Sequence, residues 1–547
     1  MFRTSVLWIA LALAAWTMGC GSTRSSDVPD VVSPDAVAEE VAVPDVFEPD
    51  SLDPDTVDPD TVHTDTIAHD HLPGDQAPII QKITVEDSDR IGLVLWLEVR
   101  TDLPTRLVVG LENLATGKSV PVPYGDALKA VHKLVVMDLR AESAYRIHIQ
   151  AISAADVAAI GHVDVTTPPL PAFLGDLEVE VIDADRMQPG YTLFSGMYED
   201  GPVYRYQYTV ALDGAGEVAF YHHQGGGTSY VPTHSGTYLV DTEHGGPIII
   251  SDLLGLVTQG SLEPGDFGTP AFHHWPGVTG DGNYLAIGVE MRTIGGFPGL
   301  GGGTLTYNIV GDVFYEIDPS GDLIREIRLL DLLDPRRLLG NYNDGFWDMD
   351  FPGAPGGTKD WSHSNSIATD PDTGDYVMSV ANQSWVVKVD RNTGALLWRL
   401  GVEGDFMLAH GGRWSMFHHS AVPLPGNRIL LFDNAPGDNS MYSRAVEYEV
   451  DTATWVATQT WEHLVEPPAV TSMMGEVRKL DNGNVLICEG ALALDPGNPG
   501  DTLSVRIVEV TSTAPSEEVL RATLKAPPGE MMNSYQAMSI SRIPSLY

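Results

Sequence analysis

Apolar residues along this chain fall in short runs that stop at turn residues. Between Ala77 and Pro171, "RIGLVLWLEVRT", "TRLVVGLE", "HKLVVMDL" and "YRIHIQAIS" are apolar or alternate apolar with polar positions. Runs of this kind, bounded by turns, predict β-strands. From about Leu177 a longer unit repeats: a glycine turn leads into an apolar strand, and a second strand follows that often ends near an acidic turn. "GDGNYLAIGVEM" precedes "GDVFYEIDPSGDLIREIRL", "TGDYVMSVANQS" precedes "WVVKVDRNTGALLWRL", "PGNRILLFDNA" precedes "RAVEYEVDTATWVATQTWE", and "NGNVLICEGAL" precedes "LSVRIVEVTS". The turn glycines are Gly282, Gly374, Gly426 and Gly483, and "GAGEVAFYHHQ" supplies another copy near Gly216.

These glycines recur at roughly the pitch of one four-stranded propeller blade, stretched once where the glycine-rich loop Gly295 to Gly303 intervenes. The chain is therefore expected to be all-β, with a β-propeller over 172–547 preceded by a small β-sandwich over 77–171. Six blades are expected, although one insertion is long enough to hide a seventh. The sixth would combine "YTLFSGMYEDGPVYRYQYTVALD" with the chain end "SYQAMSISRIPSLY", which closes the ring and removes exposed sheet edges. "LRAESAYRIHIQAISAADVAAIGHVDVTTPP" resembles the last strands of a fibronectin type III-like sandwich, with Tyr145 at the corner before a strand.

Composition agrees with many turns: of 547 residues, 55 are Gly and 38 Pro, and 43% are hydrophobic. The net charge of −44, with only 31 Lys and Arg, argues against nucleic acid as a partner, because phosphates demand clustered cations. Part of that charge is local. Residues 27–75 hold no Lys or Arg, and "SLDPDTVDPDTVHTDT" repels itself and cannot bury a core, so 21–76 is expected to be a disordered acidic tether. Ahead of it, Arg3, the apolar "VLWIALALAAW" and "TMGC" make an export signal over 1–20. The Gly-Cys pair resembles a bacterial lipobox, in which Cys20 is lipidated and anchors the chain to a membrane of the cell envelope. An ordinary signal peptide with an incidental cysteine is the alternative, and either way the protein is expected to be exported. The other cysteine is Cys488, so lipidation of Cys20 leaves no intramolecular disulfide.

The histidines share a phase. "AFHHWPGVTGDGNYLAI", "DWSHSNSIATDPDTGDYVMSV" and "MFHHSAVPLPGNRILLF" place His273 and His274, His363, and His418 and His419 seven to eleven residues before a turn glycine. In a propeller the innermost strands of several blades line one channel, so side chains in phase meet there. Neighbours on an extended chain point oppositely, so one of each pair is expected to face the channel. A neutral imidazole is available as a nucleophile near neutral pH. Three converging imidazoles could also hold zinc, but no HExxH or CxxC spacing accompanies them, and each could instead tie backbone together within a blade. No GxxxxGK[ST] loop is present, and no cofactor is expected. Trp275, Trp361 and Phe417 flank the histidines, either as an aromatic pocket or as core packing.

"DWSHSNSIATDPDTGDYVMSVANQSWVVKVDRNTGALLWRLG" resembles the bacterial arylsulfate sulfotransferases, whose members show D-W-x-H-x-N-S, a strand ending in Q-S, and W-x-L-G. "FHHSAVPLPGNRILLFDNAPG" with "SRAVEYEVD", and the tail "NSYQAMSISRIPSLY", are similar to the family's next blade and closing strand. The likeness spans about Gly190 to Tyr547. It implies ping-pong transfer of a sulfuryl group from an aryl sulfate donor to a phenolic acceptor, without a nucleotide. It also implies His419 as a nucleophile that becomes sulfohistidine, His363 and His274 (or His273) as acid/base groups or sulfuryl ligands, and Asn365 as an orienting donor. The chemistry is reasonable from below: covalent catalysis divides the transfer into two similar steps. A second imidazole can move the proton, and a phenol of pKa near 10 is a tolerable leaving group. One position departs from the family. Where members carry Arg shortly before Q-S, this chain reads "SVANQS" and has Ala381. Losing one charge-stabilising donor typically costs about 10²–10³ in rate. Arg444, Arg413 and Lys359 are the candidate replacements, with Arg444 put forward as substrate-binding. A non-catalytic binding propeller with structural histidines is the competing reading.

Overall fold

The computed structural model describes residues 77–541 apart from short segments at 89–90, 201–203, 224–226, 242–244, 256–257, 299–302, 338–344, 435–441, 472, 494–502 and 527–530. The export signal with Cys20, the acidic tether, the tip of the glycine-rich loop and the last six residues lie outside the described residues. Among the described residues the chain is all-β, with its strands in seven sheets and helix confined to single turns.

The first sheet runs from Ile80 to Thr166. Its long strand Leu95–Asn113 serves two ladders. The first half pairs with Ile80–Asp87 and Lys129–Val136, the second with Ser119–Val122 and Ala144–Ser153. Alternate residues Leu95, Leu97, Val99, then Leu107, Val109 and Leu111 are buried, the burial that a period of two requires. Tyr145 is buried, and its hydroxyl accepts the Arg140 N–H at 2.8 Å, pinning the corner ahead of its strand.

The remaining six sheets follow in chain order and are antiparallel apart from two short parallel additions, Thr358–Asp360 on Thr304–Ile317 and Met407–Leu408 on Val456–His463. Tyr191–Asp200, Tyr204–Leu212 and Val218–His223 form one with the chain-end strand Met531–Ile540. Residues 229–262, 277–328, 364–401 and 419–463 each supply the main strands of the next four. The last, over 470–524, takes Leu177–Val181 as its outer strand. Their leading strands touch in a closed cycle. Ser229–Pro232 meets Gly277–Val278, and contact passes to Ser364–Thr369, His419–Leu424, Glu476–Lys479 and Met531–Ile540, which returns to Ser229–Pro232.

Two expectations need correction. The turn at Gly216 opens no sheet of its own: it joins Tyr204–Leu212 to Val218–His223 within the sheet that the chain end completes. The further sheet is 229–262, whose strands Ser229–Pro232, Tyr238–Asp241 and Ile248–Ser251 have only four residues each, too short to display a period. Likewise, Gly295 and Gly296 belong to the strand Tyr284–Pro298, which pairs with Thr304–Ile317 and buries Phe297 among Ile309, Ile327 and Leu329.

The first sheet is tied to the cycle. Ile91–Gly92 adds to the outer edge of Val218–His223, Arg140 pairs with Asp213, and the Tyr191 hydroxyl donates to Asp138 Oδ1 at 2.8 Å. One apolar core runs from Val99 and Ile147 through Phe173 and Leu174 to Tyr208 and Tyr221.

The closing strand passes between two glycines. A Cβ on Gly196 would lie 1.9 Å from the Asn533 carbonyl oxygen, and one on Gly490 would lie 1.8 Å from that of Ser534. Gly196→Ala and Gly490→Ala are each expected to lower the thermal midpoint, by about 1–3 kcal/mol of overpacking. Unfolding followed by circular dichroism checks this, and an unchanged midpoint would show that the strand is not held there.

Candidate active site

The in-phase histidines come together because each precedes or opens the leading strand of its sheet. His273 and His274 stand just before Gly277–Val278, His363 just before Ser364–Thr369, and His419 begins His419–Leu424. The His274 ring lies 5.0 Å from that of His363 and 6.2 Å from that of His419, and His273 lies 6.3 Å from His363. The backbone is left-handed at His274 (φ 56°) and His363 (φ 45°), and on either side of the third histidine pair at Phe417 (φ 48°) and Ser420 (φ 57°). Such φ values are uncommon outside glycine and persist where surrounding structure over-determines them, as at functional sites.

Within the third pair, His419 faces the other histidines. His418 turns away: it is fully buried, and its Nδ1 lies 3.1 Å from the Ser379 hydroxyl. The tautomer of His419 follows from its partner. Asn434 donates both amide hydrogens, to the carbonyls of Thr471 and Met474 at 2.8 Å each, so the atom 2.8 Å from His419 Nδ1 is its oxygen. An amide oxygen only accepts. His419 therefore carries its proton on Nδ1 and keeps a lone pair on Nε2. Burial pushes its pKa down to about 4, against the Asn434 hydrogen bond, which acts upward. At neutral pH the ring is uncharged.

His363 is held differently. Its Nδ1–H donates to Asp360 Oδ2 at 2.6 Å, and Asp360 Oδ1 accepts the Trp347 Nε1–H at 2.8 Å. Burial acts to lower the His363 pKa, but the Asp360 charge and hydrogen bond, with Asp312 beyond, outweigh it and the net shift is upward. His273 Nε2 meets Asp312 Oδ1 at 3.2 Å, and its Nδ1 lies 2.8 Å from His274 Nδ1.

Asn365 is completely buried and bridges to the neighbouring sheet. Its amide donates to the His418 carbonyl at 2.9 Å, and its oxygen accepts the Ser420 N–H at 3.3 Å. It grips the backbone on both sides of His419. Arg444 is 1% exposed with all five N–H groups engaged, by Asp433, Gln459, Glu462, the Arg413 carbonyl and Tyr448. Arg413 lies 3.7 Å from Asp433, and the Lys359 amine sits 5.0 Å from the Tyr307 ring centre. Ala381 is buried at the start of a tight turn, where Asn382 and Gln383 hold the carbonyls of Asp360 and Trp361. Among the described residues no group of three or more His, Cys, Asp or Glu has a metal-holding arrangement.

Sequence reading passed over Asp312, Asp360, Asn434, Phe346 and Trp347. Asp360 and Asn434 lie within "DWSHSN" and "FDNAPG"; the other three carry no local signal, since only folding brings them in. The Phe346 ring stands 5.0 Å from His363, and the Trp347 ring 5.0 Å from His273. Of the aromatics put forward, Trp361 packs in the core with its indole N–H on the Arg337 carbonyl, Trp275 is buried, and Phe417 donates its backbone N–H to Ser384.

The all-β cycle of sheets thus gathers imidazoles and buried carboxylates at the ends of its leading strands. The arylsulfotransferase (ASST) family model matches residues 178–536, and the chain belongs to that family. No curated protein sequence matches it significantly. Among solved structures it is similar to a protein of unknown function from Bacteroides caccae, with 12% identity over 59% of this chain and 90% of that one, at a TM-score of 0.35. It is also similar to the periplasmic gluconolactonase PpgL of Pseudomonas aeruginosa, with 12% identity over 79% and 99% and a TM-score of 0.30. A third is Kuenenia stuttgartiensis hydrazine synthase, with 10% identity over 54% and 65% and a TM-score of 0.31.

Buried neutral histidines make stability depend on pH. Desolvation lowers His222 to about 4, His418 to about 3 and His419 to about 4. In the unfolded chain each takes its proton near 6.5. The unfolded state thus binds more protons between about 6.5 and 3, and the stability these rings contribute, complete above that window, falls as pH drops through it. The thermal midpoint is expected to fall between pH 7.5 and pH 5; a flat or rising midpoint would show that these rings are not held neutral.

Proposed function

We propose that this arylsulfotransferase-family chain is an exported enzyme that moves a sulfuryl group from an aryl sulfate to a phenol through a sulfohistidine. The six sheets are read as six propeller blades, closed by the chain end, behind a fibronectin type III-like sandwich. The observation that carries the catalytic reading is the meeting of His274, His363 and His419, with the neutral His419 ring leaving its Nε2 lone pair free to attack.

In the first half-reaction the Nε2 pair of His419 forms a bond to sulfur. The sulfur–oxygen bond to the aryl group breaks, its electron pair stays on the phenolic oxygen, and a neighbouring imidazolium gives that oxygen a proton. In the second half an acceptor phenol loses its proton to the same imidazole, its oxygen attacks sulfur, and the nitrogen–sulfur bond returns its pair to His419. Positioning and electrostatic stabilisation of the transferring group supply most of the rate in such transfers. Asn434 fixes which nitrogen attacks, and Asn365 fixes where His419 stands. Phe346, partly exposed against His363, provides a flat apolar wall for the donor ring.

The full chain mixed with 4-nitrophenyl sulfate is expected to release nitrophenolate continuously only when phenol is present, and about one equivalent per chain in a single burst without it. His419→Ala should abolish release, and His363→Ala should reduce it by about 10²–10³. Folded protein that releases nothing from several aryl sulfates would sink the enzyme reading and favour a binding propeller.

The lipobox-like "TMGC" supports attachment through Cys20, with the acidic stretch as a spacer from the membrane surface. Cys20→Ser is expected to move the chain from the membrane fraction to the soluble one; an unchanged distribution would rule out this anchor.

A further inference from the structure

A second concave site lies away from the histidines, where the first sheet meets the cycle. It is a cavity of about 370 Å³ whose floor is Leu111, Val120 and Tyr145. Leu111 pairs with Val120, and Asn113 with Tyr145, across neighbouring strands, so this floor belongs to the second ladder of the first sheet. Asp138 and Arg140 also line the cavity, and they reach the cycle through the Tyr191 hydroxyl and Asp213. A cleft of this size at the junction of two packed parts, apolar below and polar at its rim, is the usual form of a small-molecule site.

The rim is divided in its chemistry. One part is the turn 113–118, which supplies donors. Asn113 Oδ1 accepts the N–H groups of Ala115 and Thr116 at 3.0 and 3.1 Å, which leaves its amide hydrogens without a protein acceptor. Thr116 Oγ1 accepts the Lys118 N–H at 3.2 Å and keeps its own O–H to donate. The Lys118 ammonium has no carboxylate or carbonyl partner among the described residues. In a chain with 75 Asp and Glu against 31 Lys and Arg, an unanswered cation at a cavity is a local exception. The other part of the rim supplies an acceptor. Arg140 is committed to Asp213 and to the Leu139 carbonyl, but Asp138 is not. Its Oδ1 accepts the Tyr191 O–H at 2.8 Å, no Lys or Arg pairs with it among the described residues, and Oδ2 remains to accept. The Asp138 backbone is left-handed (φ 62°), as at positions that surrounding structure over-determines.

We propose that this cavity binds a small ring compound that carries a carboxylate or sulfate at one end and a hydroxyl at the other. Lys118, Asn113 and Thr116 take the anionic group with charge-assisted and neutral hydrogen bonds. The hydroxyl donates to Asp138, and the ring lies on the floor of Leu111, Val120 and Tyr145. An anion without a hydroxyl leaves Asp138 unanswered, and a neutral polyol leaves Lys118 so; only a ligand with both features satisfies the rim. Hydroxylated aromatic acids and sugar acids share this chemistry. The site uses none of the histidines, so it stands or falls apart from the sulfotransferase reading.

Isothermal titration calorimetry of the full chain tests this with 4-hydroxybenzoate and glucuronate, each beside a counterpart without hydroxyls, benzoate and cyclohexanecarboxylate. At least one hydroxylated acid is expected to bind with a Kd of about 1 mM or tighter, and the one that binds identifies the kind of ring. It should bind about tenfold tighter than its counterpart, the worth of a hydrogen bond to a charged group. Lys118→Met should weaken binding about tenfold. Asp138→Asn, which keeps an oxygen for Tyr191 and tolerates a left-handed backbone, should narrow the preference for the hydroxylated acid. Lys118 and Asp138 are both exposed, so neither change disturbs the core. His419→Ala should leave the affinity unchanged. The proposal is overturned if neither hydroxylated acid binds at about 10 mM, if the counterpart binds equally well, or if Lys118→Met has no effect. Binding that is lost in His419→Ala also overturns it, because the ligand would then sit among the imidazoles.

Discussion

The arrangement of this protein depends on one backbone contact, the passage of the chain-end strand between Gly196 and Gly490. A cycle of sheets has no open edge only when its last strand is in place, and here that strand arrives from the far end of the sequence. Polar partners hold it. The Tyr208 hydroxyl donates to the Asn533 carbonyl at 2.9 Å, Ser534 donates to the Ser195 carbonyl at 2.8 Å, and the buried Glu476 accepts the Ala537 N–H at 2.9 Å. Closure sets the distance between successive leading strands, and those strands carry the histidines. The spacing of the imidazoles is therefore a consequence of how the ring closes.

Within that frame the site is built by fixing rings rather than by adding reactive groups. Each functional imidazole has its Nδ1 already engaged, by Asp360, by His273 or by Asn434. The partners differ in charge, and this divides otherwise identical side chains: a carboxylate favours the imidazolium, an amide oxygen leaves the neutral ring. The left-handed backbone at His274 and His363 is stable here because the strands on either side are buried and hydrogen-bonded.

Much of this was legible in the residues. The strand runs, the turn glycines and the in-phase histidines are local patterns, and each corresponds to strands, positive-φ turns or the imidazole cluster in the structure. The short strands of 229–262 were not legible, because four residues cannot show a period, and the Gly216 turn was consequently given to a sheet of its own. Arg444 could not be judged from sequence, since engagement of a guanidinium depends on Asp433, Gln459 and Glu462 arriving from three other places. Asp312 and Trp347 have no motif at all: they reach the histidines across sheets.

By itself, then, the sequence determined the all-β character, the phase of the histidines and the family, because these rest on periodicity and on ordered motifs within one stretch of chain. Tertiary structure alone decided which histidine of each pair turns inward, which nitrogen carries the proton, and which carboxylates stand behind the rings. Those outcomes depend on how partners from the same loop and from neighbouring strands, such as Asp360 for His363 and Asn434 for His419, are brought against the rings, and on the desolvation that only closure of the ring produces.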